Sequence, residues 1–405
     1  MGGALSWPFL RLYVLTLFYF SANAILNVTI PLKGESLGAT NSAIGLIMGA
    51  YLFTTMFFRP WAGRVIQKHG PVKVLRTLLI LNGIALALYT FSGLEGFFVA
   101  RVMQGVCTAF FSMALQLGII DALPDKDRSQ GISMYSLCSY MPGIFGPLLA
   151  LGMWEAGNTN IFTVAMIVIA VSTGVVGFSV RMDRKEADAA PVPAEQGAVS
   201  MASSFGQLFK NPHLFRCSSL MLSASIVFGS VTTFVPLYAD QVKHGNAGVY
   251  LMIQAGIVVL SRFILRKKIP SDGKWHSSFV MFIFLILTIA ALSISFSAAG
   301  GVVFFYIGAA LMGTAQALLY PTLTTYLTFV LPQASRNVLV GLFIAMADLG
   351  VSMGGMLMGP IADLFSYSTM YSICAALGAL MIGLAYRRGQ GKREDYNIQN
   401  PHNAV

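Results

Sequence analysis

Charged residues are scarce in this sequence. Lys, Arg, Asp and Glu make up only 10% of the 405 residues, whereas a soluble domain carries roughly 25%. Hydrophobic residues make up 56%, and the mean hydropathy is +0.71. A chain of this composition cannot cover its surface with polar groups, so lipid must solvate it. The composition therefore excludes a soluble protein and predicts a membrane protein.

Cysteine is also rare, and the usual motifs of metal and nucleotide chemistry are missing. The four cysteines, at positions 107, 138, 217 and 374, are scattered without CxxC spacing, which favours neither a disulfide framework nor a zinc site. HExxH and P-loop patterns are absent. An intramembrane aspartyl protease would need two carboxylates in one site, and only one acid is predicted at membrane depth. We therefore expect no enzymatic activity, no cofactor and no bound metal.

Long apolar runs are abundant instead. A membrane-crossing helix needs about 20 mostly apolar residues, because strands and loops leave backbone groups unsatisfied in lipid. Twelve such runs lie near residues 9–31, 42–60, 74–93, 97–120, 131–153, 160–180, 213–236, 247–265, 277–298, 302–328, 337–362 and 369–386. We predict an all-α membrane protein with twelve transmembrane helices, numbered here as spans 1 to 12.

Lys and Arg fall mainly on one side of these spans. If the N-terminus is cytoplasmic, 23 of the 26 lie on cytoplasmic loops and span ends, as the positive-inside rule requires. Both termini are therefore predicted to be cytoplasmic. The net charge of +10 then reflects a basic face beside anionic lipid, with no nucleic-acid partner. We predict a multi-pass, monomeric protein of a bacterial plasma membrane.

The chain divides into two related halves. With an offset of 208, Pro124 falls on Pro332 and Arg128 on Arg336. A duplicated six-helix unit is one known transporter plan. We predict an N-terminal six-helix bundle over residues 1–181, a cytoplasmic linker over 182–212, a C-terminal six-helix bundle over 213–386 and a cytoplasmic tail over 387–405.

Polar residues recur at helical spacing in several spans. In span 4 they share one face and comprise Arg101, Gln104, Thr108, Ser112 and Gln116. The same offset of 208 places Gln316 and Tyr320 on a matching stripe in span 10. Single polar residues at such spacing usually form interhelical hydrogen bonds, but two stripes in register favour a water-filled cavity. The predicted substrate-binding residues are Asn23, Asn27, Tyr51, Arg101, Gln104, Thr108, Gln254, Gln316 and Tyr320.

Two of these residues occupy equivalent places in the repeat. Tyr51 and Gln254 correspond when Arg59 of span 2 is laid on Arg262 of span 8, and each could face either the cavity or a neighbouring helix. Arg101 lies about one turn inside the outer end of span 4. Its long stem could carry the charge to the interface; inside the cavity, its planar fork would anchor an anionic or zwitterionic substrate.

Asp348 is the only acid predicted at mid-membrane depth. Ala345, Ser352, Gly355 and Gly359 share its face, a small-residue face of the kind on which membrane helices pack closely. A charge at that depth costs roughly 2.5–3.5 kcal/mol on insertion scales. The carboxyl is therefore either a neutral group bonded between helices or a carrier that takes up and releases a proton.

The chain resembles the Major Facilitator Superfamily over nearly its whole length. GRVIQKHGPVKVL (63–75) is similar to the family's loop motif between spans 2 and 3, although Gln67 replaces the family's Asp and Pro71 a usual Arg. ARVMQG (100–105) resembles the motif associated with proton coupling, and GIFGPLLALG (143–152) the motif associated with exporters. The residues that the resemblance assigns to gating are Gly63, Arg64, Gly70, Gly146 and Pro147.

The resemblance implies secondary active export by alternating access, with Arg101 taking part in proton coupling. If protons drive transport, Asp348, as the only mid-membrane acid, is the leading proton carrier. More narrowly, SANAILN and FIAMADLG resemble exporters of opine-type metallophores, small molecules with several carboxylates and amines that chelate metal. A proton-coupled multidrug exporter or a small-solute importer of the same fold is the alternative. A sensor is a further alternative that composition leaves open.

Overall fold

The computed structural model describes residues 5–91, 93–123, 125–157, 159–180, 206, 208–265, 268–270, 272–332 and 336–386. In these ranges the regular structure is helical throughout, which confirms the all-α prediction. The α-helices are α1 (Trp7–Ser36), α2 (Asn41–His69), α3 (Pro71–Phe91), α4 (Leu94–Ala122), α5 (Asp125–Tyr140), α6 (Pro142–Glu155), α7 (Thr159–Ser179), α8 (Pro212–Tyr238), α9 (Ala247–Ile264), α10 (Ser277–Gly300), α11 (Val302–Val330), α12 (Arg336–Leu364) and α13 (Tyr367–Ala385).

The helix count differs from the twelve predicted spans. The described ranges hold thirteen α-helices, because the run predicted as span 5 is divided into α5 and α6. Pro142 begins α6; it has no backbone N–H to continue the ladder of α5, and its ring opposes an unbroken helix. Within the described residues, eleven segments are long and apolar enough to cross a membrane, and Ala247–Arg262 is a shorter apolar helix.

The helices before and after the central segment meet mainly along three pairs. α2 packs against α12 most extensively, α6 packs against α9, and α1 packs against α8. Within each set, neighbours such as α2 and α4, or α9 and α11, pack equally closely. The cavity described below lies between the two sets.

One end of the α2–α12 pair is tightly closed. We call it the α1–α2 end, because α1 ends there and α2 begins. A Cβ on Gly355 would lie 2.8 Å from the carbonyl oxygen of Gly45, and a Cβ on Gly359 would lie 2.6 Å from that of Asn41. Small residues permit such an approach in membranes, as predicted for the face that carries Asp348.

Asp363 fixes the same end from the last turn of α12. Its two carboxylate oxygens accept hydrogen bonds from the backbone N–H groups of Asn41 and Ser42, at 2.8 and 2.9 Å. These donors belong to the first turn of α2, where the helix leaves N–H groups unpaired and carries partial positive charge. The carboxylate therefore joins α12 to the start of α2.

Candidate functional site

A cavity of about 550 Å³ lies between the two sets of helices. Its wall is formed by α1, α2, α4, α5 and α6 on one side and by α8, α9, α11 and α12 on the other. Ligand pockets typically measure about 300–1,000 Å³, so a small organic molecule fits. Of the predicted substrate-binding residues, the wall contains Asn23, Asn27, Tyr51, Thr108, Gln254, Gln316 and Tyr320.

Asp348 forms an ion pair in this cavity. Its Oδ2 atom lies 2.9 Å from Nη2 of Arg59, and the Asp348 and Arg59 side chains are 17% and 28% exposed. Both residues line the cavity, so the carboxylate faces the cavity and its counter-charge comes from the other set of helices. Uptake of a proton by Asp348 would remove the attraction that joins α12 to α2 at this level.

Arg101 lies behind the wall of the cavity. Its side chain is fully buried, which excludes a snorkelling arginine. Nη1 donates to Oδ1 of Asn23 and Nη2 donates to Oδ1 of Asn27, both at 2.8 Å, and the guanidinium carbon lies 5.3 Å from the ring centre of Tyr51. Because the two asparagines lie in the cavity wall, Arg101 fixes their amide groups and contributes a positive charge from behind them.

Thr108 is the centre of a hydrogen-bond cluster on the polar face of α4. The hydroxyl of Tyr51 donates to Oγ1 of Thr108 at 3.0 Å, and the hydroxyls of Tyr19 and Thr108 lie 2.9 Å apart. Gln104 is placed differently, because its Oε1 accepts a 2.8 Å hydrogen bond from the hydroxyl of Tyr89 on α3. It stands outside the cavity wall, buried between helices.

The opposite wall carries the matching stripe. Nε2 of Gln254 on α9 donates to Oε1 of Gln316 on α11 at 3.1 Å, while Oε1 of Gln254 is buried without a hydrogen-bond partner. Tyr320 lies one turn from Gln316 on the same wall. Tyr51 and Gln254, whose orientation the sequence left open, both line the cavity.

Arg262 is a second cavity arginine, on α9. Its guanidinium carbon lies 4.3 Å from the ring centre of Tyr140, and Nη2 donates to the hydroxyl of Tyr140 at 3.1 Å. Tyr140 ends α5 at the break before Pro142. The break therefore places the ring against an arginine of the other set of helices.

The residues predicted to take part in gating are spread along the molecule. Pro147 lines the cavity, and a Cβ on Gly146 would lie 2.6 Å from the Cβ of Ala24, so α6 and α1 approach closely there. Gly70 ends α2 with φ of 81°, a conformation that favours glycine. Gly63 lies in α2 with open space around its Cα, and the side chain of Arg64 lies outside what the structure describes.

Sequence reasoning missed Arg59, Arg262 and Tyr140 as site residues. The two arginines were counted with the cytoplasmic charges, although their equivalence in the repeat was the available signal. For Tyr140, the available signal was Pro142, a helix-breaking residue two positions later. In the described part of the chain, no group of three or more His, Cys, Asp or Glu side chains could hold a metal ion.

A helical bundle with a polar cavity between two sets of helices, and an ion pair joining them, defines a membrane transporter. The chain belongs to the Major Facilitator Superfamily: the family's model matches residues 12–277. It is 54% identical over 386 residues to the staphylopine export protein of Staphylococcus aureus (strain Mu50 / ATCC 700699), covering 95% of this chain and 97% of the relative. An MFS-type transporter of Burkholderia mallei (strain SAVP1) is 24% identical over 397 residues, or 93% of each chain.

Solved structures share the fold. A mutant form of the nucleoside transporter NupG superposes with a TM-score of 0.76 at 15% identity, covering 93% of this chain and 98% of that one. The human organic anion transporter MFSD10 superposes with a TM-score of 0.66 at 15% identity, with the same coverages. These likenesses show the fold, while the family match and the relative that is 54% identical show that the protein is a transporter and not an enzyme.

Proposed function

We propose that this protein exports a staphylopine-like opine metallophore, an anionic or zwitterionic molecule with several carboxylates, by proton-coupled alternating access. The identity to the Staphylococcus aureus exporter supports the direction and the substrate class. The observation that carries the mechanism is the 2.9 Å ion pair between Arg59 and Asp348 across the central cavity. Any metal would travel as part of the substrate.

We place the protein in the plasma membrane as a monomer with twelve spans, in which α5 and α6 together form span 5 and α9 forms span 8. The six-helix bundles would occupy residues 1–181 and 213–386, joined by the linker 182–212 and followed by the tail 387–405. The distribution of Lys and Arg supports cytoplasmic termini. In that orientation the closed α1–α2 end is the outer end, so the cavity would receive substrate from the cytoplasm.

The charge balance of the cavity supports an anionic substrate. Arg59 and Arg262 line the wall and Arg101 lies behind it, whereas Asp348 is the one acid among the described lining residues. A substrate carboxylate that approaches Arg59 would compete with Asp348. Protonation of Asp348 from outside and loading of substrate from inside would then exclude each other, which is the requirement for exchange around one site.

The driving force is sufficient for uphill export. A membrane potential supplies about 2.3 kcal/mol per charge per 100 mV, and each pH unit adds about 1.36 kcal/mol. One proton moving down both gradients could therefore sustain a substrate gradient of well over tenfold.

The test is transport of staphylopine by the purified protein in proteoliposomes with an imposed proton gradient. We expect Asp348→Asn to abolish uphill transport while leaving insertion in the membrane intact, because the amide can neither carry a proton nor balance Arg59. Asp272→Asn is the matched control, since Asp272 is an exposed acid that pairs with His276 outside the cavity. Gradient-driven staphylopine transport by Asp348→Asn at the wild-type rate would reject the mechanism. Absence of staphylopine transport by the wild type would reject the substrate.

A further inference from the structure

Arg262 is a cavity arginine that no described acidic side chain contacts. Among the described residues, Asp348 is the only acid in the cavity wall, and it pairs with Arg59. Arg262 contacts the neutral ring and hydroxyl of Tyr140, and its Nε is buried without a hydrogen-bond partner. Stacking on an aromatic ring is favourable but brings no negative charge. The remaining donors of the guanidinium fork are available to a ligand.

The internal repeat indicates what kind of ligand Arg262 would bind. An offset of 203 lays Arg59 on Arg262, and the offset of 208 that lays Arg128 on Arg336 also lays Tyr140 on Asp348. The contacts between Arg59 and Asp348 and between Arg262 and Tyr140 are thus the same contact in the two related halves of the repeat. In one of them the arginine faces a carboxylate, and in the other it faces a phenol.

We propose that Arg262 and Tyr140 form a carboxylate-binding subsite, in which a carboxylate of the substrate takes the place that Asp348 occupies beside Arg59. The ring of Tyr140 packs against the guanidinium and fixes its orientation. The hydroxyl of Tyr140 accepts a hydrogen bond from one of the five guanidinium N–H donors. The other donors can bind a carboxylate through two parallel hydrogen bonds. The subsite rests on the proposed export of a polycarboxylate and adds the contact that recognises it.

The asymmetry of the repeat gives the two arginines different tasks. Arg59 is neutralised by a group of the protein, whereas Arg262 is neutralised only when an anion is bound. A neutral or cationic molecule in the cavity would leave Arg262 unpaired in a partly buried site, which is unfavourable. The subsite therefore selects anionic substrates and disfavours the cationic compounds that a multidrug exporter would accept.

The test is ligand-induced thermal stabilisation of the full-length protein in detergent. Staphylopine and citrate are titrated separately, and the apparent Kd is taken from the rise in Tm. We expect Arg262→Gln to weaken binding of both ligands by about 10- to 100-fold, because charge-assisted hydrogen bonds contribute about 1.5–3 kcal/mol and 1.4 kcal/mol is tenfold. Arg262→Lys keeps the charge without the fork and should lose about three- to tenfold. It also serves as the reporter if Arg262→Gln does not elute as a folded species.

Lys268→Ala is the matched control, because it removes a positive charge from an exposed side chain just after α9. We expect it to bind both ligands as the wild type does. The subsite is overturned if Arg262→Gln and Arg262→Lys bind within twofold of the wild type, if Lys268→Ala loses as much affinity as they do, or if neither ligand stabilises the wild type. Should the wild type bind citrate but not staphylopine, with citrate binding lost in Arg262→Gln, the subsite stands and the proposed substrate fails.

Discussion

Gly359→Ala should open the α1–α2 end of the transporter. The added Cβ would lie 2.6 Å from the carbonyl oxygen of Asn41 and 2.9 Å from the Cα of Ser42. Favourable contacts between heavy atoms lie near 3.5–4.0 Å, so α12 and α2 must separate by about 1 Å. The nearest atoms all belong to the backbone of α2, and a change of rotamer cannot relieve the clash.

The cost of this substitution falls on the closed state alone. Overpacking typically costs about 1–3 kcal/mol, which corresponds to a shift of about 5- to 150-fold in the ratio of closed to open molecules. If the closed state predominates in the wild type, Gly359→Ala should produce a clearly populated open state. Gly83→Ala on α3 is the matched control, because a Cβ there would meet no atom within 4 Å.

The assay is a distance measurement by electron paramagnetic resonance between two spin labels. Leu37→Cys lies just after α1 and Phe365→Cys just after α12, and both native side chains are exposed. Cys138, the one native cysteine that is not buried, is replaced by Ala. We expect a second, longer distance in Gly359→Ala and a single distance in the wild type and in Gly83→Ala. One unchanged distance in all three proteins would refute the idea that the close contact of α2 and α12 at Gly359 holds the α1–α2 end closed.

Two further substitutions test contacts beside the cavity and at the closed end. Arg101→Ala should lower the Tm and abolish substrate binding, because it leaves the amides of Asn23 and Asn27 without their donor, and an unsatisfied buried group costs about 1–3 kcal/mol. Arg101→Lys offers one point charge to two acceptors, so its Tm and affinity should fall between those of Arg101→Ala and the wild type. Equal thermal-shift curves for the three proteins would contradict this role. Asp363→Asn should favour the open state by about two- to fivefold in the same distance measurement, since a charge at a helix N-terminus contributes about 0.3–1 kcal/mol. An unaltered population would mean that the charge of Asp363 is dispensable there.

Local patterns predicted the helices and the orientation of several side chains. Apolar runs of sufficient length located most of the helices, since lipid demands an internally satisfied backbone. The small-residue face that carries Asp348 was predicted to pack closely, and Ser352 donates to the carbonyl oxygen of Gly49 at 2.8 Å on that face. Of the polar stripe predicted on α4, Thr108 and Ser112 line the cavity, whereas Gln104 bonds to Tyr89 of α3.

Contacts between distant parts of the chain were not predictable in the same way. Periodicity says which face of a helix a residue occupies, but it does not say which residue of another helix faces it. Asp348 and Arg59 are 289 positions apart, and no local pattern around either residue predicts the other as its partner. The break at Pro142 is a local signal, yet its consequence, the contact between Tyr140 and Arg262, depends on how α5 and α9 pack.

The α2–α12 pair connects the proposed proton site to the closed end. Antiparallel packing brings Arg59 to Asp348, Gly49 to Ser352, Gly45 to Gly355 and Asn41 to Gly359 along one continuous line of contacts. These positions on α12 are separated by three or four residues, so they form a single face. An event that loosens the contact at Asp348 therefore acts on the same two rigid helices whose opposite turns close the cavity. Because the ion pair and the glycine contacts hold the same two helices together, loss of the ion pair removes part of the barrier to opening at the other end.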